Sequence, residues 1–198
     1  MIRLYIGKSA AGKDFHLKED IKNGLIPIVS YATRPMREGE VNGVDYNFIS
    51  KHEFKKLIKM HEEFLYSAAD PLTEWRSYDT LYKNKEDTWY YGTPRVDPSK
   101  DYVGVVEISG AHAFIDTYNK DNLEIIYLDV PDEIRKQRAM NRSSFDKTEW
   151  DRRLETDTKD FSDEAIANLI THLGKPIIIE TYTPDCELED EQNDISLE

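Results

Sequence analysis

The sequence predicts an α/β protein in which a parallel sheet core has helices on both faces and carries a small antiparallel insert. Three observations support this fold class. Short β-branched runs alternate with helical patterns along most of the chain. A glycine-punctuated loop directly follows the first of these runs. The segment from about 31 to 93 is rich in Tyr, Trp and Thr, which favour short antiparallel strands.

The individual elements follow from local signals. The apolar run at residues 2–6 predicts the first strand, and a helix from about 12 to 23 is stopped by Asn23-Gly24. Ser50 and Glu53 form a capping box for a helix that ends near Met60. The other predicted elements are a strand at 25–31, short strands over 64–91 with a loop at 83–87, strands at 102–108, 124–130 and 176–180, a helix opened by Ser109-Gly110, a helix from Pro131 as N1 to about Arg142, and helices at about 147–160 and 162–173.

Composition restricts the domain count and the partners. With 198 residues, of which 39% are hydrophobic, the chain suits one domain over residues 1–184 and an acidic tail over 185–198. The net charge of −13 argues against nucleic acid as a partner. The tail holds seven acids and no Lys or Arg, as a solvated terminus typically does.

Other composition signals concern the compartment and metals. Cys186 is the only cysteine, so no internal disulfide can form. The sequence has no long apolar run for a membrane span and no signal-peptide pattern, so we expect a cytoplasmic protein without a membrane partner. The five histidines have no metal-ligand spacing and are interpreted as ordinary surface or packing residues.

The loop after the first strand resembles the phosphate-binding motif G-x-x-x-x-G-K-S/T. Glycines let backbone N–H groups approach phosphate oxygens, and the lysine reaches the terminal phosphates. Where the motif has a hydroxyl that binds Mg²⁺, this chain has Asp14, whose carboxylate is also a preferred Mg²⁺ ligand. An ordinary strand-to-helix turn is the alternative interpretation. The candidate ATP-binding residues are Gly7, Lys8, Ser9, Ala10, Ala11, Gly12, Lys13 and Asp14.

A second group of candidate binding residues lies in the polar segment that follows the predicted second strand. Arg34 and Arg37 flank a proline turn, and Tyr46 follows them. Two guanidinium groups and a phenol on one segment suit a second phosphate, because arginine binds phosphate oxygens bidentately. Alternatively, the two arginines are solvated loop charges that pair with Glu38 and Glu40.

Residues 30–50, SYATRPMREGEVNGVDYNFIS, closely resemble the acceptor-binding segment of the guanylate kinase family. Further matches continue to about residue 160. The resemblance implies a P-loop nucleoside monophosphate kinase fold, with an acceptor-binding insert at about 31–93 and a helical lid at about 136–156. The further matches are Glu74-Trp75, Tyr91-Gly92-Thr93, Glu107-Ile108 and the arginines of 138–153.

The resemblance also implies roles for individual residues. Lys13 would contact the transferring group of ATP, and Mg²⁺ would accompany the ATP, with Asp14 as its candidate ligand. Glu74 would accept hydrogen bonds from guanine N1–H and the N2 amine. The residues implied for GMP are Ser30, Arg34, Arg37, Tyr46, Glu74, Tyr91, Thr93 and Ser109, and those implied for catalysis are Lys13, Arg34, Arg138, Arg142 and Arg153.

The chain departs from the family pattern in two further places. Aligning Glu74 with the glutamate that binds the base in the family requires extra residues before it. A competing alignment would put Tyr66 at the position of that glutamate. Ser109 stands where the family usually has an Asp that contributes to guanine recognition.

The predicted function is transfer of the ATP γ-phosphoryl group to GMP or dGMP, by a monomer or homodimer. Two alternatives stay open: a nucleoside monophosphate kinase with relaxed base choice, and a guanylate-kinase-like binding module without catalysis.

Overall fold

The computed structural model describes residues 1–65, 67, 69–82, 85–141 and 145–182. The predicted acidic tail and Arg142 lie outside this range. In chain order the elements are β1 (Ile2–Ile6), α1 (Lys13–Lys22), β2 (Ile26–Pro27), β3 (Tyr31–Ala32), β4 (Asn47–Phe48), α2 (Lys51–Phe64), β5 (Leu72–Tyr82), β6 (Lys85–Pro94), β7 (Tyr102–Val105), α3 (Ile108–Thr117), a 3₁₀ turn (Lys120–Asn122), β8 (Leu123–Asp129), α4 (Asp132–Met140), α5 (Lys147–Asp160), α6 (Asp163–Leu173) and β9 (Ile178–Thr181).

The core is a five-stranded parallel sheet with the strand order β2-β7-β1-β8-β9. Alternate side chains of a strand point to opposite faces, and both faces are covered. Ile2, Leu4 and Ile6 of β1 pack in a cluster with α3 and α6. Tyr5 packs on the other face, with residues of α1 and α4. The predicted parallel core with helices on both faces is therefore confirmed.

A second sheet has the order β4-β3-β6-β5 and comes from the insert. Strands β5 and β6 form a long antiparallel hairpin, and β3 pairs antiparallel with β6. However, β3 and β4 are parallel, because the polar segment 33–46 returns the chain to the end where β3 began. The predicted loop at 83–87 is wrong for residues 85–87, which pair with β5, and residues 83 and 84 lie outside the described range.

Several predicted boundaries need correction. The run 25–31 is not one strand, because Ile26–Pro27 joins the core sheet whereas Tyr31–Ala32 joins the insert sheet. The predicted strand at 102–108 ends at Val105, and α3 already begins at Ile108. Pro131 is the N-cap of α4 rather than N1, because its ψ of 144° is extended. The short strands predicted over 64–91 are instead two long strands, Leu72–Tyr82 and Lys85–Pro94. The remaining helix and strand predictions agree with the structure to within two residues, apart from the end of α2.

Helix α2 begins as predicted and ends later. The Ser50 hydroxyl accepts from the Glu53 N–H, and the Ser50 N–H donates to the Glu53 carboxylate, which confirms the capping box. Phe54 is buried, as predicted. The helix extends past Met60 to Phe64, because no glycine or proline interrupts residues 61–64. Within the described part of the chain, no helix has the length and apolar character that a membrane span requires.

Candidate active site

The loop between β1 and α1 is held in a conformation that glycine permits. Gly7 has a φ of 153°, and a Cβ there would lie 3.0 Å from the Leu128 carbonyl oxygen. Gly12 is left-handed, with a φ of 101°, and is the N-cap of α1. Ala10 is also left-handed, with a φ of 61°, a strained conformation for a residue that has a Cβ. The loop therefore brings its backbone against the core sheet at the N-terminus of a helix.

Lys13 points back over this loop. Its Nζ donates to the carbonyl oxygens of Gly7 at 2.7 Å and Lys8 at 2.9 Å. Burial lowers the pKa of Lys13, which the nearby Asp14 opposes. Asp14 is exposed in the first turn of α1. An ammonium and a carboxylate therefore stand next to each other at the entrance of the helix.

Two residues that the sequence analysis did not single out, Arg135 and Asp157, hold the loop. The Arg135 side chain is fully buried. Its Nη1 donates to the Ser9 carbonyl oxygen at 2.9 Å and to Asp157 at 3.1 Å, and its Nη2 donates to Asp132 at 2.6 Å. The Asp157 carboxylate accepts from the Ser9 N–H at 2.8 Å. These contacts fix the loop to α4 and α5.

The structure describes two of the three lid arginines. Arg138 Nη1 donates to the Ala11 carbonyl oxygen at 3.2 Å, and its guanidinium lies 5.5 Å from the Tyr182 ring centre. Arg153 lies on α5 and is partly buried. Arg138 is therefore in direct contact with the loop.

Arg34 is buried, and its environment combines the two interpretations offered for it. The guanidinium makes a bidentate pair with Glu40, at 2.6 and 2.5 Å. Its side chain is only 4% exposed, and it lies 5.2 Å from the ring centres of both Tyr46 and Phe48. Arg34 is therefore paired with a glutamate, as the second interpretation expects. Unlike a solvated loop charge, however, it is buried and held in one orientation. Arg37 is exposed, and its backbone N–H donates to Glu40.

Tyr46 and Tyr91 lie on the wall next to Arg34. Their ring centres are 6.1 Å apart in an edge-to-face arrangement. Burial raises the pKa of Tyr46, so its phenol remains a donor at neutral pH. Ser30 lies on the same side, with its hydroxyl 3.5 Å from that of Thr93.

Glu74 lies in β5 opposite Thr93 in β6, and the Thr93 hydroxyl donates to its carboxylate at 2.8 Å. Gly92 lets the Phe54 ring pack beneath β6, where a Cβ would meet the ring at 2.8 Å. A Cβ on Gly110, in α3, would lie 3.5 Å from Glu74 Oε1. Ser109 is exposed in the first turn of α3. The competing candidate, Tyr66, falls outside the described residues.

Arg76 is the other site residue that the sequence analysis missed. It lies two residues after Glu74, on the same face of β5, and opposite Tyr91. Nη1 donates to Glu74 at 3.1 Å, and Nη2 donates to Glu107 at 3.1 Å. Burial lowers the pKa of Arg76, but Glu107 and Glu74 outweigh that effect and raise it. The acceptor pocket, of about 30 Å³, is lined by Ser30, Tyr46, Glu74, Arg76, Tyr91 and Thr93, among others.

The parallel core, the loop after β1 and the inserted second sheet are those of the P-loop nucleoside monophosphate kinase fold. The guanylate kinase family model matches residues 4–72. The solved guanylate kinase of Anaplasma phagocytophilum has the same fold, with a TM-score of 0.52 and 18% identity over 98% of this chain and 83% of that one. In sequence and in fold, the chain is therefore similar to guanylate kinases.

Two curated relatives give the extent of the sequence match. The guanylate kinase of Clostridium tetani is 33% identical over 145 residues, which are 70% of this chain and 61% of the relative. That of Ehrlichia canis is 32% identical over 133 residues, which are 64% of this chain and 56% of the relative. The matched part of the chain therefore spans about three fifths of their length.

Proposed function

We propose that this protein transfers the γ-phosphoryl group of ATP to GMP or dGMP, giving ADP and GDP or dGDP. The observation that carries the proposal is the position of the two sites in the core sheet. The phosphate loop follows β1. Helix α3, whose Gly110 leaves room for the Glu74 carboxylate, follows the neighbouring parallel strand β7. The carboxyl ends of parallel strands meet at one edge, where α/β proteins bind ligands. A donor loop and an acceptor pocket at one edge suit transfer between two nucleotides.

On the donor side, the backbone of residues 7–13 would hold the ATP phosphates, with Lys13 on the transferring group. The described residues contain no cluster of three metal-ligating side chains. Mg²⁺ needs none here, because it is usually held by one or two carboxylates together with substrate phosphates and water. The exposed Asp14 carboxylate beside the loop fits such a role. The metal would supply positive charge that offsets the charge of the transferring group.

On the acceptor side, a phosphate would enter between Arg34 and the two tyrosines. Arg34, Arg37, Tyr46, Tyr91 and Ser30 supply charge and donors for its oxygens. Glu74 presents two acceptors to the N1–H and N2 donors of guanine. Adenine offers an acceptor at N1 and no amine at C2, so the same carboxylate would disfavour it. Thr93 and Ser109 would lie beside the base.

The reaction needs positioning more than covalent help from the protein. In phosphoryl transfer the enzyme aligns two anionic groups and stabilises the developing charge. Lys13 and the lid arginines Arg138, Arg142 and Arg153 would act on the transferring group while Arg34 holds the acceptor. No dedicated base is required, because the acceptor phosphate is already largely ionised. Closure of the lid and the insert over the site would keep water from competing.

The decisive experiment is a coupled assay of ADP release with GMP, dGMP, AMP, UMP and dTMP, with and without Mg²⁺. We expect turnover with the guanine nucleotides, dependent on Mg²⁺. Lys13→Ala should lower kcat by about 100-fold or more, as loss of one charge-stabilising group commonly does. Lys18→Ala, an exposed lysine of the same helix, is the matched control and should retain wild-type rates.

The panel also separates the two alternatives. The exposed Ser109 at the start of α3 favours relaxed base choice as the second candidate, and comparable rates with AMP or UMP would support it. A binding module without catalysis would give no turnover with any acceptor. Calorimetric titration with ATP would then detect no binding, because such a module has no use for the donor side.

A further inference from the structure

We propose that Arg76 reads the guanine base beside Glu74, by donating to the O6 and N7 edge. This inference rests on the proposed function, in that it places guanine in the acceptor pocket. It assigns a specificity-determining role to a residue that the sequence pattern did not mark.

The first support is the order of donors and acceptors along β5. Arg76 Nη1 lies 3.1 Å from Glu74 Oε1 and 3.4 Å from Oε2, so a donor stands directly beside two acceptors. The edge of guanine carries the complementary order: the O6 acceptor, then the N1–H and N2 donors. A bidentate arginine on O6 and N7 is the commonest specific protein contact to guanine. Adenine carries an amine at the O6 position and would face the guanidinium with a donor.

The second support is the way in which Arg76 is held. Tyr78 and Tyr91 lie next to each other beside the guanidinium, each with its ring centre 5.9 Å from it. Glu107 accepts from Nη2 at 3.1 Å and therefore fixes the far side of the fork. Among the described residues none accepts from the buried Nε–H, so this donor is not committed to the protein. A rigid, partly uncommitted fork suits recognition of a planar base.

The third support is charge. Glu74 and Glu107 both face the site, and a phosphate-bearing substrate would be repelled by two uncompensated carboxylates. Arg76 bridges them, with each carboxylate at 3.1 Å. The guanidinium thus offsets the negative charge of both carboxylates while it presents its own donors to the base.

The test compares acceptors that differ only at the base edge. GMP and IMP both carry O6 and N1–H, whereas AMP and 2,6-diaminopurine ribonucleoside monophosphate carry an amine instead of O6. For Arg76→Ala, we expect kcat/KM to fall by about 10- to 100-fold for GMP and IMP alike, because both lose the O6 contact. The two amine-bearing acceptors should be much less affected, so the preference for GMP over AMP should fall by the same factor.

Three controls separate base reading from other roles. Arg37→Ala should lower kcat/KM by the same factor for all four acceptors, as loss of a phosphate contact would. Glu107→Gln removes the charge but keeps a side-chain oxygen that can accept from Arg76 Nη2, so the fork stays oriented and the GMP preference should be kept. Arg76→Lys retains the charge without the planar fork and should regain only part of the preference. The assignment would be overturned if Arg76→Ala lowered kcat/KM by the same factor for all four acceptors. It would also be overturned if Glu107→Gln reduced the preference for GMP over AMP as much as Arg76→Ala does.

Direct binding distinguishes a failure of this inference from a failure of the proposed function. If the wild-type protein binds GMP more tightly than AMP by calorimetry but turns over neither, the kinase proposal fails. Arg76 is still supported in that case if Arg76→Ala abolishes the binding preference. If the preference survives in Arg76→Ala, the inference is wrong whether or not the protein is an enzyme.

Discussion

At the scale of single residues, the buried Arg34 and the partly buried Arg76 are each paired with carboxylates. Arg34 is paired with Glu40, and Arg76 bridges Glu74 and Glu107. A buried guanidinium without a partner would be costly, so these carboxylates allow arginines to stand in a pocket of low exposure. They also fix the direction in which the remaining N–H groups point. The charge in the site is therefore positioned before a nucleotide enters.

Asp14 is the residue whose role depends most on the metal. It lies exposed beside Lys13, and we propose that it contacts Mg²⁺ directly or through water. Asp14→Asn should raise the Mg²⁺ concentration for half-maximal turnover by about 10- to 100-fold, as loss of a partner of a bound metal typically does. Titration of initial rates with Mg²⁺ at saturating nucleotide measures this shift.

The matched control is Asp163→Asn. Asp163 occupies the first turn of α6, so this change also removes a carboxylate from a helix N-terminus, but away from the site. Its Mg²⁺ dependence should equal that of the wild type. If Asp14→Asn also behaves like the wild type, Asp14 does not handle the metal.

At the scale of elements, repeating local patterns predicted the structure well. The capping box placed the start of α2 correctly, and the apolar runs at 2–6 and 124–130 predicted two strands of the core sheet. The errors fall where tertiary context decides. The run 25–31 has strand composition throughout, but its two ends pair with different sheets. Nothing in the local sequence marks where the chain leaves one sheet for the other.

The candidate site shows the same division. The phosphate loop and the segment 30–46 are continuous stretches, so their residues could be selected from the sequence. Arg76, Arg135 and Asp157 could not, because each acts on a partner that is distant in sequence or belongs to another element. Asp157 meets Ser9, which is 148 positions away, and Arg76 meets Glu107, which is 31 away. Isolated charged residues on amphipathic elements otherwise resemble solvated surface positions.

The segment 33–46 depends on ionised Glu40, which gives it a pH-dependent stability. Hydrogen bonding from Arg34 is the main cause that holds the pKa of Glu40 below its ordinary value of 4.5. A carboxyl whose pKa is lower in the folded state stabilises the fold above its unfolded pKa, and that contribution disappears as the pH falls through the folded value. As the pH is lowered below about 4.5, the urea midpoint of the wild type should therefore decrease, in part because Glu40 becomes protonated.

Glu40→Gln tests this contribution. The variant should be less stable than the wild type at pH 7, because Arg34 loses its charged partner. Its urea midpoint should then decline less steeply below pH 4.5. Glu53→Gln is a useful comparison, since Glu53 is also held below its ordinary pKa but lies on the capping box of α2. Parallel acid profiles for wild type and Glu40→Gln would show that the pair does not stabilise the fold.

At the scale of the whole molecule, the phosphate loop connects distant parts of the chain. Its strand belongs to the centre of the core sheet, and its carbonyl oxygens and one N–H are held by α4 and α5. The proposed acceptor pocket lies at the same edge of the sheet, between the insert and the end of β7. Movement of α4 or α5 would therefore also move the loop. These contacts offer a physical route from closure of the proposed lid to the proposed donor site.

This connection predicts that Arg135 and Asp157 act as one unit in folding. The Arg135 side chain is fully buried, and the Asp157 side chain is only 13% exposed. Arg135→Met should destabilise the protein by about 3–5 kcal/mol, because it leaves Asp157 as a buried charge without its partner. Asp157→Asn should also destabilise it, since the amide neutralises the charge that compensates Arg135. Chemical denaturation of both single variants and of the double variant gives the coupling energy.

We expect that coupling to be about 0.5–3 kcal/mol, because residues that share one hydrogen-bonded network are not additive. The control is the exposed pair Glu155 and Lys159 on the same helix α5, which are 73% and 72% exposed and form an i,i+4 contact. Solvent screens such a pair, so the effects of its two single variants on stability should add up to that of the double variant within error. Additive effects of Arg135→Met and Asp157→Asn would mean that the loop is held without them. In that case α4 and α5 would not transmit lid closure to the donor site through this network.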